Sequence, residues 1–165
     1  HNDENDAADR LSAEANRGWG RDDPDALHLE IVRATSVRET NPDAALEILT
    51  RLRPRMAQCT DRADLEEYAR TRACVLGALE RPQEALPFSV ESVNHATAEY
   101  GPESAVTLHR MHRQAELLLD AERVDEGIAI LDRVHATQTR VLGADHRDTR
   151  RTKRALDQAS AAISA

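Results

Sequence analysis

A chain of 165 residues with a formal charge of −8 and only 2% aromatic residues is long enough for one compact domain or a short repeat array, and too acidic overall for general polyanion binding. No apolar run approaches the roughly 20 residues that span a bilayer, no signal-peptide pattern opens the chain, and Cys59 and Cys74 supply neither a disulfide framework nor a metal pattern. The expectation is a cytoplasmic protein without membrane, nucleic-acid or cofactor partners.

In chain order, residues 1–7 are acidic and polar, are expected to be disordered, and read as an edge within a longer protein. Ala8, Leu11, Ala15 and Trp19 follow with helical spacing, a terminal half-repeat over 8–19. A Gly-acid phrase beginning at Gly20 then opens a helix with the stripe Leu27, Ile31, Ala34 and Val37. After a turn at Thr40-Asn41-Pro42 comes a second stripe, Ala45, Leu46, Leu49 and Leu52. Pro54 falls inside that second helix and predicts a kink or an early end, because it lacks the N–H that the helix needs.

The next pair starts at Asp61 without a glycine. Its first stripe is Leu65, Tyr68, Ala69, Ala73, Leu76 and Leu79. A turn at Glu80-Arg81-Pro82 leads to Leu86, Val90, Val93, Thr97 and Tyr100. Pro87 is compatible with this second helix only if the helix starts near Glu84. The third pair carries Leu108, Met111, Ala115, Leu118 and Leu119, turns at Glu122-Arg123, and continues with Ile128, Leu131, Val134, Gln138 and Val141. Thr152, Leu156, Ala159 and Ile163 then form an unpaired last helix. The count is eight helices and no strands.

Punctuation between the pairs repeats. Leu142-Gly143-Ala144-Asp145-His146-Arg147-Asp148-Thr149 answers Tyr100-Gly101-Pro102-Glu103-Ser104-Ala105-Val106-Thr107 at an offset of 42 residues. Each copy stops one helix with Gly and caps the next with a short polar residue. Such a period means a solenoid of helical hairpins. Its units are 20–60, 61–100 and 101–142, with 143–165 as a terminal capping helix.

These residues resemble tetratricopeptide repeats (TPR), in the 42-residue variety found in kinesin light chains and in many bacterial regulators and NB-ARC-type ATPases. That variety carries a Leu-Gly-x-Asp-His-Pro-Asp-Thr-Leu linker, which Leu142 to Thr149 reproduces with Arg147 in place of proline. Its small residue early in the second helix is matched by Ala45, Ala85 and Gly127, and its small residue in the first helix by Ala73 and Ala115. The bulky aromatics are mostly missing, and the linker at Asp61 departs from the pattern. The resemblance implies an all-α, right-handed solenoid of antiparallel helix pairs that binds peptides or partner domains, usually without catalysis.

In such an architecture the first helix of each pair lines the concave groove. Counting three and six residues back from Ala73 and Ala115 selects Arg70 and Glu67 in one pair and His112 and His109 in the next. A 42-residue shift adds Arg154 and Arg151, Arg113 adjoins the set, and His28 extends it into the first pair. The candidate contacts are Arg70, His109, His112, Arg113, Arg151 and Arg154, a basic lining suited to an acidic protein or peptide. His109 and His112 are three apart on one helix but lack an evident third metal ligand. The basic run from Arg147 to Arg154 is interrupted by Asp148 and has no aromatic for base stacking. No phosphate loop, nucleophile elbow or zinc-protease helix occurs. The expected function is a non-catalytic interaction module. The alternatives are a ligand-sensing part of a larger bacterial transcriptional regulator or ATPase, and a scaffold segment self-associating through its terminal helices.

Overall fold

The computed structural model describes residues 24–163, and the half-repeat expected over 8–19 lies outside them. Seven helices and no strand are present among the described residues: α1 (Pro24–Val37), α2 (Pro42–Met56), α3 (Arg62–Ala78), α4 (Pro82–Tyr100), α5 (Ala105–Asp120), α6 (Val124–Leu142) and α7 (Arg147–Ile163). They fall into two compact units, divided between Glu80 and Arg81.

In the first unit, α1 packs on α2, and α3 packs on both. Asn41 ends the first connection and caps α2, its side chain accepting from the Ala44 N–H at 3.0 Å, while Pro42 takes the first helical position, where a missing N–H costs nothing. Asp61 caps α3 by accepting from the N–H groups of Ala63 (2.9 Å) and Asp64 (3.0 Å), so the connection holds without a glycine. Ile31, Ala34, Ala45 and Leu49 are fully enclosed, each large one worth about 1.5–3 kcal/mol of burial. Tyr68 donates its hydroxyl to the Leu49 carbonyl at 3.1 Å and accepts from Arg72 Nη1 at 2.9 Å, which fixes α3 against α2. The buried Arg72 guanidinium also sits over the Tyr68 ring. Pro54 lies in the last turn of α2, and the helix stops at Met56 after 15 residues, against 19 for α4 and for α6.

In the second unit each helix packs on the next, α4 through α7. Leu108, Met111 and Val134 form a cluster that Val93 and Ile130 border. Ala85 and Ala115 are fully enclosed, and a Cβ on Gly127 would lie 2.9 Å from Leu119 Cδ2 and 3.2 Å from the Ala115 carbonyl oxygen. The α5–α6 approach therefore requires a small residue there.

Two expectations are corrected. α4 begins at Pro82 rather than near Glu84, so Pro87 stands inside the helix. Pro82 already occupies the helix start, and the Arg81–Glu84 ion pair (2.7 Å) spans that first turn. Val90, Tyr100 and Val141, assigned to apolar stripes, are exposed. Tyr100 and Val141 lie in the last turn of the second helices α4 and α6.

Candidate functional site

Within each unit the first helices of successive pairs are tied to one another by polar side chains. In the first unit, His28 Nδ1 on α1 meets Asp64 Oδ1 on α3 at 2.7 Å. The Thr35 hydroxyl lies 2.8 Å from that of Thr71 and 2.9 Å from Glu67 Oε1. Arg70 is half-buried and forks onto Glu67, its Nε donating to Oε2 at 3.0 Å and its Nη2 to Oε1. Glu67 thus matches the charge expected to face a ligand.

In the second unit the same role falls to Glu116 on α5. It accepts from His112 Nε2 at 3.1 Å, from Arg113 Nη1, and across from α7 from Arg151 Nη2 at 3.2 Å. Desolvation pushes this carboxyl up. The His112 hydrogen bond, the Arg113 charge and the Arg151 hydrogen bond overcome that and lower it to about 2. Glu116 is therefore ionised and can only accept, so His112 Nε2 carries its proton. The other ring nitrogen, Nδ1, meets the Thr152 hydroxyl of α7 at 3.0 Å. His112 is 3% exposed. It is a buried tie between α5 and α7.

His109, one turn before His112, is exposed. Partial desolvation, then the charges of Arg110, Arg151, His112 and Arg113, hold its imidazole below the usual histidine range, so it is neutral at pH 7. Arg113 and Arg151 keep 47% and 42% of their side chains exposed while paired with Glu116. Arg154, one turn beyond Arg151, is exposed. The structure thus brings His112, Arg113 and Arg151 around Glu116, with His109 one turn before His112 and Arg154 farther along α7, while Arg70 belongs to the other unit.

A small cleft opens at the start of α5 and α7, walled by Ala105, Leu108, His109, His112, Asp148, Arg151 and Thr152, with Gln138 and Leu142 of α6 beneath. Gln138 is 5% exposed, and its Oε1 has no hydrogen-bond partner among the described residues. Sequence reasoning missed Glu116, Asp148 and Gln138 as members of this site. The signal for Glu116 was its spacing, three residues after Arg113 and four after His112. For Gln138 it was an amide in an otherwise apolar stripe. Among the described residues no group of three or more His, Cys, Asp and Glu side chains is placed to hold a metal ion.

No family model matches the chain, and no curated protein matches it. Solved structures do. A crystal structure of a Podosopora anserina protein described as a kinesin light chain with nearly identical TPR-like repeats aligns with a TM-score of 0.82, at 19% identity, over 97% of this chain and 77% of that one. The structure of a variant of that protein gives the same figures. The fold is that of a TPR-like repeat. Among the described residues no helix is long and apolar enough to cross a membrane.

Proposed function

We propose that the chain is a non-catalytic TPR-like module that binds a protein or peptide partner along its first helices, with the face of α5 and α7 as the principal contact. The repeat units are 20–60, 61–100 and 101–142, closed by a capping helix over 143–165. The supporting observation is the Glu116 cluster. One half-buried carboxylate fixes Arg113 and Arg151 at the surface in a set geometry, so little side-chain entropy remains to be lost on binding. Farther along α7 the exposed Arg154 adds a further positive charge, which favours approach of a partner segment rich in acidic residues.

The experiment is affinity capture with mass spectrometry, comparing the wild-type chain with the triple variant Arg113→Glu, Arg151→Glu, Arg154→Glu, after circular dichroism shows equal helicity. His112 is left intact because the fold uses it. A partner retained by the wild type and lost by the variant is the expected result; equal capture by both contradicts the assignment.

A further inference from the structure

Of the buried polar side chains that line the cleft, His112 and Thr152 are bonded to each other, whereas the buried oxygen of Gln138 lacks a donor among the described residues. A buried acceptor left unmade costs about 1–3 kcal/mol, so the site favours an occupant that supplies an N–H or O–H. At the rim Arg151 uses Nη2 for Glu116 and has further N–H groups to offer. Asp148 stands on the same wall. A carboxylate entering here meets two acceptors, Gln138 Oε1 and Asp148, against one arginine already compensated by Glu116. An ammonium group, with donors only, leaves the remaining Arg151 N–H groups without an acceptor. A carboxamide satisfies both ends, since it donates through its NH2 and accepts through its carbonyl. The enclosed space admits little more than one water-sized group beneath an open mouth, which suits a side-chain head and excludes a whole small molecule.

We propose that this cleft takes the neutral carboxamide side chain, asparagine or glutamine, of a partner peptide, with its NH2 donating to Gln138 Oε1 and its carbonyl accepting from Arg151. The proposal rests on the interaction reading above and adds an anchor residue to it. His109, neutral at pH 7, adds no positive charge at the rim that would draw a carboxylate instead.

The test uses the full chain and three probes, the N-acetyl N-methylamides of asparagine, aspartate and leucine, titrated while NMR follows the Gln138 side-chain amide and the Arg151 Nε–H. A saturable shift with the asparagine probe is expected, with the aspartate and leucine probes at least about tenfold weaker. Gln138→Leu, which also removes a buried unsatisfied oxygen, should abolish the response at Arg151, and Asp148→Asn should narrow the asparagine-to-aspartate ratio. Should Gln138→Leu lose helicity, the wild-type and Asp148→Asn titrations decide alone. Three results overturn the proposal: no response to any probe, the oxygen then being served by water; an equal or stronger response to aspartate; or an undiminished response in a folded Gln138→Leu. Because these readouts need no captured partner, the anchor can fail while partner capture succeeds, and the reverse.

Discussion

Gly101 and Gly143, 42 residues apart, hold the same backbone conformation: φ 85° and ψ 160° for the first, φ 89° and ψ 158° for the second. Each follows the last turn of a second helix and donates its N–H back into it, to the carbonyl of Thr97 or Thr139. Each also accepts at its carbonyl from the residue three on, Ser104 or His146. This region of backbone space is essentially open only to glycine, which is why the linker phrase recurs around that residue.

A Cβ on Gly143 would meet nothing within 4 Å, so Gly143→Ala isolates the backbone cost. Urea denaturation should show a loss of about 1–3 kcal/mol with an unchanged m-value. An unchanged midpoint would mean the linker relaxes without the glycine.

The turns within the pairs repeat as well. Glu80 (φ 55°) and Glu122 (φ 61°) are both left-handed, and ion pairs of 2.7 Å follow each, Arg81–Glu84 and Arg123–Glu126. At Glu122 the N–H groups of Glu122 and Arg123 reach the carbonyls of Leu119 (3.0 Å) and Leu118 (2.8 Å), a Schellman closure. A left-handed non-glycine residue costs roughly 1–2 kcal/mol, and glycine returns about 0.4–1 kcal/mol of that through the unfolded chain. Glu122→Gly should therefore raise stability by about 0.5 kcal/mol, read as a small increase in Tm; a decrease would assign the Glu122 side chain a stabilising role.

Gly127 tests the opposite case, where space rather than backbone is limiting. With Leu119 and the Ala115 carbonyl already close to where a Cβ would stand, Gly127→Val should cost about 1–3 kcal/mol through overpacking. Chemical denaturation checks this, and a neutral effect would show that α5 and α6 separate easily.

Glu116 gives the chain an acid-sensitive term. Its carboxyl is lowered from 4.5 to about 2 in the folded state, so the stability it contributes is fully present above about pH 4.5 and is lost as pH falls through about 2. The loss is at most about 3 kcal/mol, and less in practice because its arginine partners are partly solvated. Denaturation midpoints measured from pH 6 to pH 2 should fall for the wild type and flatten over the same window for Glu116→Gln. Identical slopes would place the acid sensitivity elsewhere.

Much of the fold was legible before the structure. The Gly101 and Gly143 phrase marked the stops, and the stripes around Ile31, Leu49, Leu76, Leu118 and Leu131 marked the buried faces, because helical period and capping chemistry are local. The exposed ends at Tyr100 and Val141 were not legible, since whether the last turn of a helix is covered depends on what packs beside it. The site was half legible. Sequence spacing placed His109, His112, Arg113 and Arg151, but read them as free positive charge. The contacts of Glu116 with Arg151, and of Asp64 with His28, cross from one pair to the next and depend on the register between helices. The local contacts of Glu67 with Arg70 and of Glu116 with Arg113 were available from spacing alone.

The central claim is that a partner lies against α5 and α7. The most direct measurement is site-specific photo-crosslinking with a photoreactive residue at Arg113, at Arg154 or, as the contrast, at the exposed Asp132 of α6, in the presence of the captured partner. Adducts from Arg113 and Arg154 with none from Asp132 are the predicted result. Adducts from Asp132 alone would contradict the account and move the interaction to the second helices.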